Sequence, residues 1–91
     1  MNKVLIPAAL RRFTQEQSAV EVDAATVDAA LKALTGRFPA LQKHLFQDDG
    51  RLRSFVNIFV NDEDIRHLSK GETPLEPGDT LSVVPSIAGG L

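Results

Sequence analysis

The chain has 91 residues, 43% of them apolar, with five Phe and neither Trp nor Tyr. That suits one small domain with a mainly aliphatic core. Ten basic and twelve acidic residues give a net charge of −2. This lacks the basic excess of a nucleic-acid binder, and Arg11-Arg12 and Arg51/Arg53 read as solvated clusters or as docking points for an acidic partner. There is no cysteine, so nothing points to disulfides or to a thiol that could carry sulfur on a side chain. No apolar run approaches the ~20 residues of a membrane span, and the start, Met1 to Pro7, lacks a signal-peptide pattern. A cytoplasmic protein is the expectation.

Lys3 to Pro7 is predicted as a first strand, with Val4 and Ile6 on one face and Leu5 on the other. Ala8 to Gln17 is a polar connection carrying Leu10 and Phe13. Ser18 to Val22 alternates, Val20 and Val22 inward and Glu21 outward, so the two strands form an N-terminal hairpin. Thr26 is placed to cap a helix, and Asp28 suits its positive end. Val27, Ala30, Leu31, Leu34 and Phe38 then follow at helical spacing, and Gly36 and Pro39 mark the end. Leu41 to Phe46 reads as a short second helix or turn, and Asp48-Asp49-Gly50 as a turn.

Phe55 to Val60 is the clearest strand. Val56, Ile58 and Val60 share one face; Phe55, Asn57 and Phe59 share the other. Asn61 to Asp64 ends it. Glu76-Pro77-Gly78-Asp79 has Pro and Gly where a type II turn wants them. Thr80 to Val84 is the last strand, Leu81 and Val83 inward, Ser82 and Val84 outward. Pro85 lacks an N–H and is expected to stop further pairing, so that Pro85 to Leu91 leaves the body as an extended arm. Strand, strand, helix, strand, strand is an α+β pattern, a helix on one face of a mixed sheet.

The chain closes with Ile87-Ala88-Gly89-Gly90-Leu91. Glycines buried in a core contribute nothing, because they have no side chain and lose the most freedom on ordering. A thin diglycine backbone is what a narrow enzyme channel admits. This tail, at this distance from the last strand, resembles the C-terminus of the β-grasp, or ubiquitin-like, proteins. The segments Phe55 to Arg66 and Glu76 to Asp79 narrow the resemblance to sulfur carriers of the ThiS/MoaD family, nearest to carriers that serve cysteine and homocysteine synthesis. The resemblance covers nearly the whole chain and implies a β-grasp domain over 1–85 and a flexible tail over 86–91.

The resemblance also implies a role. A partner activating enzyme uses ATP to adenylate a terminal glycine, here Gly90. A sulfur donor then converts the acyl-adenylate to a thiocarboxylate, which a sulfhydrylase or other acceptor enzyme consumes. The carrier itself is then no enzyme and binds no cofactor. Leu91 departs from the pattern, because it stands where Gly90 should end the chain. It implies an inactive precursor trimmed by a JAMM-type zinc peptidase, the alternatives being an extraneous added residue or a degenerate carrier. Other roles within reach of the same fold are the small subunit of molybdopterin synthase and a ubiquitin-like modifier.

Elsewhere the residues point away from catalysis. His44 and His67 are far apart in sequence and read as surface residues, and Asp62, Glu63 and Asp64 read as a solvated turn without an EF-hand's glycine and distal glutamate. No metal site is expected. Phe59, Ser82 and Val84 are predicted on the open face of the sheet as a partner-binding patch. Phe55 is divided evenly between that face and a place beneath the Ala8–Gln17 connection.

Overall fold

Alternating apolar residues build the sheet. The computed structural model describes residues 1–85, with strands β1 (Asn2–Leu5), β2 (Ala19–Val22), β3 (Val56–Val60), β4 (Glu63–Asp64) and β5 (Thr80–Pro85). They form one mixed sheet in the order β2-β1-β5-β3-β4. β1 and β2 are the expected antiparallel hairpin, while β1 runs parallel to β5. Val20, Val4, Leu81 and Val60 line up as one row across four strands, and all four are buried.

Helix α1 (Val27–Arg37) covers that face. Thr26 caps it as expected, its hydroxyl oxygen accepting the Ala29 N–H at 3.1 Å. The stripe Val27, Ala30, Leu31 and Leu34 is fully buried. The helix continues through Gly36 to Arg37; Pro39 stops it, since the residue before a proline is pushed out of helical geometry, and Phe38 has φ −128° and ψ 78°. The Leu41–Phe46 segment holds a short helix, α2 (Gln42–Leu45), whose Leu45 joins the core.

Three features differ from the sequence expectation. The β1–β2 connection contains a 3₁₀ turn over Ala8–Phe13. A two-residue strand, β4, follows β3, because Asn61 at φ +56° turns the chain back on itself. And Pro85 does not end the last strand but lies in it, opposite Val56. The Asn61 N–H bonds the Thr80 carbonyl at 2.7 Å. Antiparallel alternation then makes Asn57/Val84 a hydrogen-bonded pair and Val56/Pro85 a non-hydrogen-bonded one. The missing N–H of Pro85 is therefore not one that β3 needs. β1, on the other side, pairs only as far as Ser82. Pro85 thus belongs to the sheet, and the rest of the expected arm, residues 86–91, lies outside the described residues.

The Glu76-Pro77-Gly78-Asp79 turn is as expected: Gly78 has φ +92°, and the Asp79 N–H bonds the Glu76 carbonyl at 3.0 Å. The segment before it passes under α1, with Val27 N–H donating to Thr73 O and Leu75 N–H to Ala25 O.

Candidate functional site

The end of β5 is the root of the diglycine segment, so the surface around it is the candidate site. Ile87, Ala88, Gly89, Gly90 and Leu91 lie outside the described residues. What the structure gives is the platform from which they depart.

Strand parity sends Ser82 and Val84 away from α1, as expected, together with Phe59 and Asn57. The register places Phe59 opposite Ser82 and Asn57 opposite Val84. Parallel pairing with β1 adds Leu5 on the other side of Ser82. One row therefore reads Ala19, Leu5, Ser82, Phe59, Asp64. Val84 and Leu5 are about two-fifths exposed, at 42% and 39%. Phe59 and Ser82 are half-buried between their neighbours. The sequence alone does not single out Leu5. Its alternation is visible, but its position beside Ser82 follows from a parallel pairing between residues more than seventy positions apart.

Phe55 precedes β3 and is 44% exposed. Leu10 and Ala9 approach it across a hollow rather than covering it. The aromatic that the connection does bury against the body is Phe13, which stacks on His44 with ring centroids 4.3 Å apart. His44 is thus no plain surface residue. It is half-buried, and its Nε2 is shut off from solvent without a hydrogen-bond partner. Burial first, then the charges of Lys43, Arg12 and Arg53, hold its pKa below the ordinary value of 6.5. His67 is exposed, as expected.

Asp64 is engaged by Arg66: its carboxylate accepts the Arg66 guanidinium at 2.8 Å and the Arg66 backbone N–H at 2.8 Å. The Arg66 side chain, and next its N–H, lower the Asp64 pKa to about 2. Among the described residues no group of three or more His, Asp or Glu could hold a metal ion, and no helix is long and apolar enough to cross a membrane. A hollow of about 550 Å³ opens on the helix side beside Ile58 and Ile65, but no residue of β5 lines it. Two of its cations are already paired, Arg51 with Asp49 and Arg66 with Asp64.

The open face of the sheet thus presents Leu5, Phe59 and Val84 beside Ser82 next to β5, and the sequence agrees with that of known carriers. Residues 4–90 match the model of the ThiS family. The chain belongs to the ThiS family. It is 35% identical over 89 residues to the sulfur carrier protein CysO of Mycobacterium tuberculosis, covering 96% of each chain. It is 42% identical over 72 residues to small archaeal modifier protein 1 of Haloferax volcanii, covering 78% of each. The crystal structure of the Amycolatopsis orientalis BexX/CysO complex contains a chain that superposes with a TM-score of 0.89 at 34% identity, over 99% of this chain and all of that one. The fold is therefore β-grasp, and this ThiS-family chain is a carrier of the ThiS/MoaD type rather than an enzyme. The family match reaches Gly90 and leaves Leu91 outside it.

Proposed function

We propose that this chain carries sulfur for cysteine or homocysteine and methionine biosynthesis as a thiocarboxylate on Gly90. The observation that carries the reading is the family match over residues 4–90, from the first strand to Gly90. The chemistry is simple. A carboxylate is a poor electrophile. Attack of the Gly90 carboxylate on the α-phosphorus of ATP in a partner enzyme releases pyrophosphate and gives an acyl-adenylate. Sulfide attacks that carbonyl; AMP leaves, and the terminal C–O bond has become C–S. Where a persulfide supplies the sulfur, its outer sulfur displaces AMP to give an acyl disulfide, and a second thiol cleaves that S–S bond, leaving the thiocarboxylate and an ordinary disulfide. The carrier supplies the carboxyl and the docking surface; catalytic groups belong to the partner. The strip of Leu5, Ser82, Phe59 and Val84 docks the activating enzyme in the cytoplasm, and a sulfhydrylase or similar enzyme takes up the sulfur.

Leu91 blocks the first step. It places an isobutyl group on the residue to be activated, and a channel shaped for glycine rejects added bulk. A JAMM-type zinc peptidase removes it. The test is intact mass after incubation with ATP, a sulfide source and the activating enzyme. A chain ending at Gly90 is expected to gain the mass difference between sulfur and oxygen, and the 91-residue chain to stay unchanged. Thiocarboxylation of the untrimmed chain overturns the precursor reading. No thiocarboxylate on either form overturns the carrier chemistry.

The likeness to an archaeal modifier protein supports a second reading, attachment of Gly90 to lysines of other proteins. Isopeptide-linked adducts found by mass spectrometry after expression of the trimmed form would establish it.

A further inference from the structure

A hollow of about 410 Å³ opens at the end of the sheet where β5 finishes. Leu10, Phe55, Val56 and Pro85 make its apolar walls, and Lys43, His44 and Arg53 its polar rim; no acidic side chain lines it. Arg12 stands beside it, its guanidinium 5.4 Å from the centre of the Phe13 ring that stacks on His44. The Arg53 Nε–H donates to the Lys43 carbonyl at 2.8 Å, which fixes the rim and uses one of five guanidinium donors. The His44 imidazole experiences Lys43, Arg12 and Arg53 as three positive charges.

On a chain of net charge −2, this is a local reversal of sign around an apolar floor. A free anion has no use for Leu10 and Phe55. An apolar side chain alone has no use for three cations. The two together fit a peptide in which acidic residues flank a large apolar one. The place matters as well: Pro85, a wall of the hollow, is the last residue of β5 and stands five positions before Gly90 in the chain. We propose that the hollow docks an acidic segment of a partner protein, with one large apolar side chain seated between Leu10 and Phe55 and flanking carboxylates at Lys43, Arg53 and Arg12. The interaction does not depend on whether Gly90 carries sulfur.

The test uses the full ¹⁵N-labelled chain titrated with acetyl-Asp-Glu-Leu-Glu-Asp-amide, followed by amide shifts. The neutral peptide acetyl-Asn-Gln-Leu-Gln-Asn-amide and inorganic phosphate are the comparisons. Shifts are expected at Leu10, His44, Phe55 and their neighbours. Affinity should fall about tenfold in the double variant Lys43→Glu, Arg12→Glu, and fall again between about 20 and about 200 mM salt, because exposed charges are screened. Both positions are exposed, so an unchanged spectrum of the free variant will show that its fold is intact. Phe55→Ser is expected to weaken the peptide and leave phosphate unaffected. The proposal is overturned by equal binding of the neutral peptide, by phosphate giving the same shifts at the same affinity, by shifts elsewhere, by indifference to charge reversal, or by no binding.

Discussion

The side chain of Asn61 closes onto the backbone of Thr80. Its Oδ1 accepts the Thr80 N–H at 3.0 Å, while the Thr80 carbonyl accepts the Asn61 N–H at 2.7 Å. Asn61 sits at φ +56°, where its own carbonyl has left the ladder, and the side chain replaces it. Its Nδ2 also donates to Asp79 at 3.1 Å, and Asn2, buried on the helix side, donates to the Glu76 and Asp79 carbonyls. These bonds set where β5 begins and hence the register that puts Ser82 beside Phe59.

Asn61→Ala should lower stability by about 1–3 kcal/mol, the cost of unpairing these groups and holding alanine at positive φ. Asn61→Gly should fall between the two, since glycine accepts the φ without restoring the bonds. Urea midpoints of the three proteins decide it; equal midpoints would show that the side chain does not set the strand.

Stability should fall with pH in two steps. The His44 pKa is lowered in the fold, so the unfolded chain takes up its proton first, and stability declines as pH drops through about 6.5. Asp79 is lowered from 3.8 by the Glu76 N–H and then by Asn61, and Asp64 to about 2 by Arg66. Their stabilisation is complete above the unfolded value of about 3.8 and is lost as pH falls through the folded ones. Urea midpoints measured against pH should show His44→Gln without the upper step and Asp79→Asn with a flatter acid limb. An acid limb unchanged in Asp79→Asn would refute the carboxylate account.

The two faces of the sheet should respond differently to truncation. Val83, 4% exposed, packs under α1, and Val83→Ala should cost about 1–3 kcal/mol. Leu5→Ser and Phe59→Ala should weaken docking of the activating enzyme with a smaller loss of stability. Thermal melts and partner titrations separate the effects. A core-sized loss of stability at Phe59 with unchanged affinity would remove it from the docking strip.

Gly36→Ala should stabilise the protein by about 0.5–1 kcal/mol. The glycine lies inside α1 with no positive φ, and an added Cβ meets nothing within 4 Å. Alanine restricts the unfolded chain and favours the helix. A lowered thermal midpoint would mean the last turn needs glycine for a reason its surroundings do not show.

Much of the fold is legible locally. Val56, Ile58 and Val60 alternate, Val27 to Leu34 repeat at helical spacing, Thr26 caps, and Gly78 takes the positive φ of its turn; each signal is short-range and each is found. From sequence, Asn61 only ends a strand, because a chain reversal that depends on one residue at positive φ leaves no pattern. Pro85 looks like a stop, because the cost of a missing N–H depends on which neighbour would have received it. His44 looks like a surface residue, since nothing near it in sequence announces Phe13.

What the sequence determined by itself is the family, the inward stripes and the terminal Gly89-Gly90, because these are carried by residue type and spacing along one chain. Tertiary structure alone decided what surrounds the root of that segment. Parallel pairing of β1 with β5 puts Leu5 next to Ser82, and the folding of the Ala8–Phe13 turn against α2 gathers Arg12, Lys43, His44 and Arg53 around Phe55. Those neighbours are set by strand register and packing between segments far apart in sequence, where periodicity carries no information.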